Sequence, residues 1–323
     1  MTLPKAPGIY RSQGNNDVSS IAHHEEQFAR ANGIDICYET FGDPNAEPML
    51  LIMGLGAQMV LWDDAFCEQL AARGFRVIRF DNRDIGRSSK LSGGKRLTPL
   101  ELLKLRFFHI PVAAPYKLHD MAKDTVALMD ALSIQSAHVV GASMGGMIAQ
   151  EVAISFPRRV RSLTSIMSTT GNPKVPPPTR QATAMLMAPP PNTREEFLIR
   201  FGQTWKMLRV GKFPQDEALD RARAERIFSR GLNPAGTGRQ LRAILASGSR
   251  KQQLHQVKAP TLVIHGTVDP LVHPTAGKDT AASIPGARLL MIEGMGHALP
   301  IELWPRVIDA VATHAQGAAA KAA

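Results

Sequence analysis

The sequence predicts an α/β protein built on a mostly parallel sheet with helices on both faces, and three observations carry that expectation. Short continuous apolar runs such as Met49–Met53, Ala137–Gly141 and Thr261–His265 alternate with longer stretches of helical spacing, which is how strands buried between two helix layers read. The 323 residues are 44% hydrophobic and 20% charged, enough to fill one large core. Residues 171–258 break the alternation: they open on proline-rich sequence and continue as charged helical sequence, so they form an insertion between two core strands.

In chain order, residues 1–24 are polar and turn-rich and predict a flexible N-terminal segment. Gln27–Ala31 and Asp35–Phe41 flank Asn32-Gly33, the strongest short hairpin signal. The strand Met49–Met53 leads into the loop Gly54-Leu55-Gly56. Trp62, Phe66 and Leu70 share one face of a helix over Trp62–Arg73, which Gly74 ends. Arg76–Phe80 is a strand running into Asp81-Asn82-Arg83-Asp84. His119–Leu132 is an amphipathic helix through Met121, Val126, Met129 and Leu132. Ala137–Gly141 is the next strand, Met144–Phe156 a helix stopped before Pro157, and Val160–Met167 a further strand. Thr261–His265 and Arg288–Ile292 bring the strands to eight, and a helix from about Pro300 to Thr313 closes the pattern. The expected layout is a core of residues 25–170 and 259–315, a helical cap at 171–258 and a flexible tail at 316–323.

The net charge of +10 is spread along the chain with no long basic run, which reads as a solvated basic surface and predicts no nucleic-acid partner. No apolar run approaches the roughly 18–20 residues of a membrane span. The first twenty residues have no apolar h-region, so no signal peptide is expected and a cytoplasmic location follows by default. Cys37 and Cys67 read as reduced, buried small hydrophobes. The sequence leaves a homodimer open.

The chemistry centres on Gly141-Ala142-Ser143-Met144-Gly145, directly after a strand and directly before a helix. In that setting the two glycines relieve crowding on a tight turn, and the serine is held strained and exposed at a helix N-terminus. A serine hydroxyl needs a general base, best a histidine oriented by a carboxylate. Asp269 lies in the loop after the strand Thr261–His265, and His297 lies among glycines after the last strand. Each of the three residues follows a predicted strand, in the chain order serine, acid, histidine. An oxyanion formed at the serine needs two N–H donors. The N–H of Met144, at the helix N-terminus, is expected to be one, and that of Leu55, or of Gly54 one residue earlier, the other. Met59, Met185, Met187 and Met295, with Met53, Met144 and Met147, are expected to line an adaptable apolar pocket.

Other polar clusters read as structural. The aspartates of Asp81-Asn82-Arg83-Asp84-Ile85-Gly86-Arg87-Ser88 pin their loop through charge pairs and turn bonds. His109 and His119 have no partner at a useful spacing. His23-His24-Glu25-Glu26 is not a zinc motif, because Phe28 stands where the second histidine would be. No phosphate-binding or dinucleotide-binding glycine loop occurs. No metal and no cofactor are expected.

The order MGLG, DNRDIGRSS, GASMGG, HGTVDPLV and GMGHALP resembles the α/β-hydrolase family and, within it, the esterases similar to aclacinomycin methylesterase. The resemblance spans roughly residues 26 to 315 and is weakest across the insertion. It implies the α/β-hydrolase fold, a cofactor-free Ser143-Asp269-His297 triad, and hydrolysis of carboxylic esters, here small to medium apolar ones. A thioesterase, lactonase, acyltransferase or carbon–carbon hydrolase would use the same triad, and a ligand-binding receptor would keep the fold without needing it. A dehalogenase or epoxide hydrolase would carry aspartate at position 143.

Overall fold

A computed structural model describes residues 21–93, 97, 98, 100, 101, 103, 112–210 and 212–320. Its sheet has eight strands: β1 (His23–Ala31), β2 (Ile34–Phe41), β3 (Glu47–Ile52), β4 (Phe75–Phe80), β5 (Ala137–Ala142), β6 (Val160–Ile166), β7 (Thr261–Gly266) and β8 (Arg288–Ile292). They lie in the order β1-β2-β4-β3-β5-β6-β7-β8, with β1 and β2 antiparallel to their neighbours and the rest parallel. This is the eight-stranded, mostly parallel α/β-hydrolase sheet that the sequence predicts. The opening hairpin turns through Asn32 and Gly33, both at positive φ (49° and 79°), as a two-residue primed turn requires.

Alternation along the strands divides the core. Leu50, Ile52 and Val139 face α2 (Leu118–Ala131) and α3 (Met144–Ser155), whereas Met49, Leu51 and Val140 face α1 (Asp64–Ala71) and α9 (Trp304–Ala319). Both cysteines are buried, and burial pushes each thiol up to about 12, which leaves them unreactive.

Between β6 and β7 the chain adds four helices: α4 (Arg180–Met187), α5 (Arg194–Arg209), α6 (Glu217–Ser229) and α7 (Pro234–Ser247). Three open on the N-caps Thr179, Thr193 and Asp216, whose side chains accept from the N–H three residues on. α6, α7 and the turn between them dock on the core through arginines. Arg223 pairs with Asp63 and Arg226 with Asp64, while Arg230 meets Asp81 and Arg239 grips Asp84 at 2.7 and 2.9 Å. The loop after β4, read from sequence as self-pinned, is therefore where the insertion is fastened. Asp84 is fully buried, so removing its partner leaves an uncompensated charge. Arg239→Leu is expected to lower stability by about 3–5 kcal/mol, measured by urea unfolding; an unmoved midpoint would mean that the pair does not hold the insertion.

Several sequence expectations shift. The helix at Trp62–Arg73 starts only at Asp64, because Met59–Leu61 forms a 3₁₀ turn. The last helix begins at Trp304 after another such turn, and the expected tail is helical to Ala319, with Ala315 and Ala318 packed inward. α8 (Thr275–Ser283), which packs on β7, has no counterpart in the sequence reading. In the N-terminal segment, residues 1–20 lie outside the described residues, as do His109 and the end of the tail, 321–323. His23 and His24 belong to β1, where His23 meets Glu39 and stacks on Phe41.

Candidate active site

The turn from β5 into α3 holds Ser143 at φ 55° and ψ −121°, a conformation that costs a non-glycine residue on the order of 1–3 kcal/mol and persists only where its surroundings enforce it. Those surroundings are tight. A Cβ on Gly141 would fall 2.1 Å from the Gly145 carbonyl oxygen, and one on Gly145 would fall 2.0 Å from that of Ile52. Only glycine fits at either place. The Ser143 N–H donates to the Ile166 carbonyl, and the Ser168 hydroxyl donates to the Ser143 carbonyl, which fixes the turn from the neighbouring strand.

Asp269 and His297 reach Ser143 from the loops after β7 and β8. The His297 Nε2 lies 2.9 Å from the Ser143 Oγ, and its Nδ1 lies 2.7 Å from the Asp269 Oδ2. The other carboxylate oxygen accepts the N–H groups of Leu271 and Val272 at 2.9 and 2.8 Å. Burial pushes the Asp269 carboxyl up, but the adjacent His297, the hydrogen bonds from His265 and His297 and the Val272 N–H outweigh it and hold the group well below the usual carboxylate range. The His297 N–H donates to the Leu208 carbonyl at 2.7 Å, so the end of α5 in the insertion steadies the histidine loop. Such a chain can move a proton from the Ser143 hydroxyl to the imidazole while a carboxylate balances the charge gained.

Gly54 sits against the serine: a Cβ there would stand 3.1 Å from that of Ser143. The Leu55 and Met144 N–H groups beside it donate to no acceptor among the described residues. The next N–H along the loop, that of Gly56, is taken by the Gln240 side chain from α7.

Ser143 and His297 open onto a mainly apolar cavity of about 780 Å³, roofed by the insertion. Of the methionines expected there, Met185 lines it, as do Met53, Met144 and Met147, but Met59, Met187 and Met295 do not. Met59 is packed against Cys37, Val60 and Ile227, and Met295 against the core below the sheet's end. Met187 ends α4 with an exposed side chain. What the sequence reading missed is a stripe on α5, Phe197, Phe201 and Trp205, whose rings follow one another along the cavity wall with centroids 6.0 and 5.7 Å apart. Their spacing of four residues was the available signal.

A second serine–histidine–carboxylate chain shows what hydrogen bonding alone does not make. At the opposite end of the sheet His138 bridges Ser162 (2.8 Å) and Glu47 (3.1 Å). There Ser162 lies within β6, buried, with none of the elbow geometry of Ser143, and it does not line the cavity onto which Ser143 opens. Among the described residues no cluster of three or more histidine, cysteine or acidic side chains could hold a metal ion, and no helix is long and apolar enough to cross a membrane.

Comparison with known proteins covers most of the chain. The alpha/beta hydrolase fold family matches residues 47–302. A rhodomycin D methylesterase of Streptomyces sp. (strain C5) is 32% identical over 87% of this chain and 94% of its own length, and that of Streptomyces peucetius is equally similar. A poly(3-hydroxyalkanoate) depolymerase of Ectopseudomonas oleovorans is 30% identical over 79% of this chain and 80% of its own. Among solved structures, the enol-lactonase of Burkholderia xenovorans LB400 superposes with a TM-score of 0.69 at 22% identity, covering 89% of this chain and 99% of that one, which shows a common fold.

Proposed function

Because the chain belongs to the alpha/beta hydrolase fold family, we propose that it is a carboxylic ester hydrolase working through Ser143, His297 and Asp269 on small to medium apolar esters. The observation that carries the reading is the Ser143–His297–Asp269 chain, at 2.9 and 2.7 Å, opening onto an apolar cavity. Similarity to methylesterases supports the ester bond as the target.

The reaction runs in two halves. His297 takes the Ser143 proton as the oxygen attacks the ester carbonyl, and the oxyanion accepts the N–H groups of Met144 and Leu55, with Gly54 leaving room beside the serine. His297 then protonates the departing alcohol, leaving an acyl-enzyme. Water activated by the same imidazole attacks that acyl group, and the acid departs. Asp269 keeps the proton of the resting imidazole on Nδ1, so that Nε2 is free to act as base. Hydrolysis of p-nitrophenyl esters of increasing chain length, with thioesters and lactones alongside, tests the reading. No turnover of any ester would overturn it.

The insertion acts in this proposal as the lid that selects substrates. Discrimination arises from transition-state contacts with the pocket walls, whereas the triad chemistry is common to all esters. Exchanging residues 171–258 for a relative's segment is therefore expected to change the ranking of kcat/KM among short, long and aromatic esters, while Ser143 stays reactive to a small phosphonate. A folded chimera that keeps the parent ranking would place specificity elsewhere.

A further inference from the structure

His265, the residue before the last of β7, is completely buried and is not a member of the Ser143–His297–Asp269 chain. Its Nε2 stands 2.9 Å from the Val272 carbonyl and 3.5 Å from the Asp269 Oδ2. A carbonyl oxygen only accepts, so Nε2 carries the proton and donates it. The opposite nitrogen, Nδ1, has no hydrogen-bond partner among the described residues. The ring is wedged against α8 at Gly277, where an added Cβ would fall 2.7 Å from that same Nδ1. The imidazole is thus clamped between a strand, a helix and the turn that carries Asp269, with its one donor aimed at that turn.

Building on the Ser143–His297–Asp269 reading, we propose that His265 is a positioning residue for Asp269. Its Nε2–H holds the Val272 carbonyl. The Val272 N–H, together with that of Leu271, holds the Asp269 Oδ1. With Oδ1 committed in this way, Oδ2 is the oxygen left to face His297. The His265 proton also lies near Oδ2 itself, adding a weaker pull on the same atom. A displacement of the carboxylate by about 1 Å would cost on the order of 10²-fold in rate, because the base and its orienting group act only in register. A buried side chain whose single donor is spent on the loop of the acid, and whose other polar atom is left unpaired, fits a part shaped for that loop better than one shaped for core packing.

The test compares four variants of the full chain on an aryl ester, with active sites counted by phosphonate titration and folding followed by circular dichroism. His265→Phe removes the donor. His265→Asn keeps an amide that is too short to reach Val272. His265→Gln places an N–H near the position of Nε2. Asp269→Asn reports on the triad itself. The expected result is a fall in kcat of about 10²-fold for His265→Phe and His265→Asn at unchanged KM, with most of the loss restored by His265→Gln. The downfield proton resonance of the His297–Asp269 hydrogen bond should weaken in the first two variants and return in the third. If His265→Phe does not fold, the comparison of Asn with Gln decides. Equal kcat in the Asn and Gln variants would overturn the positioning role while leaving the triad standing, provided that Asp269→Asn is severely impaired. An active Asp269→Asn enzyme would instead remove the triad reading on which the proposal rests.

Discussion

Ser143→Ala is expected to reduce kcat for an aryl ester by about 10⁶-fold, the scale on which loss of the nucleophile acts when the rest of a triad depends on it. The elbow should survive the change. Its strained backbone is imposed by Gly141, Gly145 and the bond to the Ile166 carbonyl, whereas the hydroxyl contributes only its contact with His297. Alanine therefore fits the same turn and leaves the cavity intact, and the unfolding midpoint should stay close to that of the parent. A fluorophosphonate should label the parent at Ser143 alone and fail to label the variant, as mass spectrometry of the digested protein will show. Ser162→Ala is the matching control. It breaks the other serine–histidine–carboxylate chain, at His138 and Glu47, and should leave ester hydrolysis unchanged. Retention of more than a trace of activity in Ser143→Ala, or labelling of a different residue, would remove the proposed mechanism.

The parts of the fold that the sequence announces are those in which one physical rule dominates. The parallel strands β3, β5 and β7 are largely buried and so appear as mostly apolar runs, whereas β6 (VRSLTSI) interleaves polar residues; the ends of all four fall within about two residues of those expected. The candidate site is legible for a related reason: Ser143, Asp269 and His297 follow the ends of the parallel strands β5, β7 and β8, and a parallel sheet gathers those ends at one edge. Other features depend on distant partners. Nothing local pairs Asp84 with Arg239, 155 residues later, so the loop after β4 reads as pinned but not as an anchorage for the insertion. Met59 and Met295 illustrate the limit of composition, since a methionine near a catalytic loop fills core as readily as it lines a cavity. α8 escapes detection because its buried residues, Ala276, Gly277, Thr280 and Ser283, are small and make no apolar stripe. His265 stands four residues before Asp269, in plain view, yet only the turn at Leu271 and Val272 shows what its ring holds.

Replacing Asp269 by asparagine is expected to lower kcat by about 10⁴-fold, the loss that follows when an imidazole is held in the wrong tautomer. The structure supplies the reason the tautomer would be wrong. The Leu271 and Val272 N–H groups demand an acceptor at the Oδ1 position, so the asparagine carbonyl would take that place. Its amide group would then turn toward the Nδ1 of His297, which accepts from it, and the imidazole proton would be driven to Nε2. An imidazole with its proton on Nε2 cannot receive another from Ser143. A weakened KM is not expected, because Asp269 lies behind His297 and away from the cavity. The same substitution has a separate signature in stability. The Asp269 carboxyl is held below its ordinary range in the folded protein, so its contribution is complete above the unfolded pKa and is lost as pH falls through the folded value. The stability gap between the parent and Asp269→Asn should therefore be widest near neutrality and narrow below about pH 4, where unfolded aspartate begins to take up protons. Denaturant unfolding at pH 7, 5 and 3 measures that gap, and kinetics at pH 7 measure the rate. A loss in kcat under tenfold would mean that His297 takes its tautomer from a group other than Asp269.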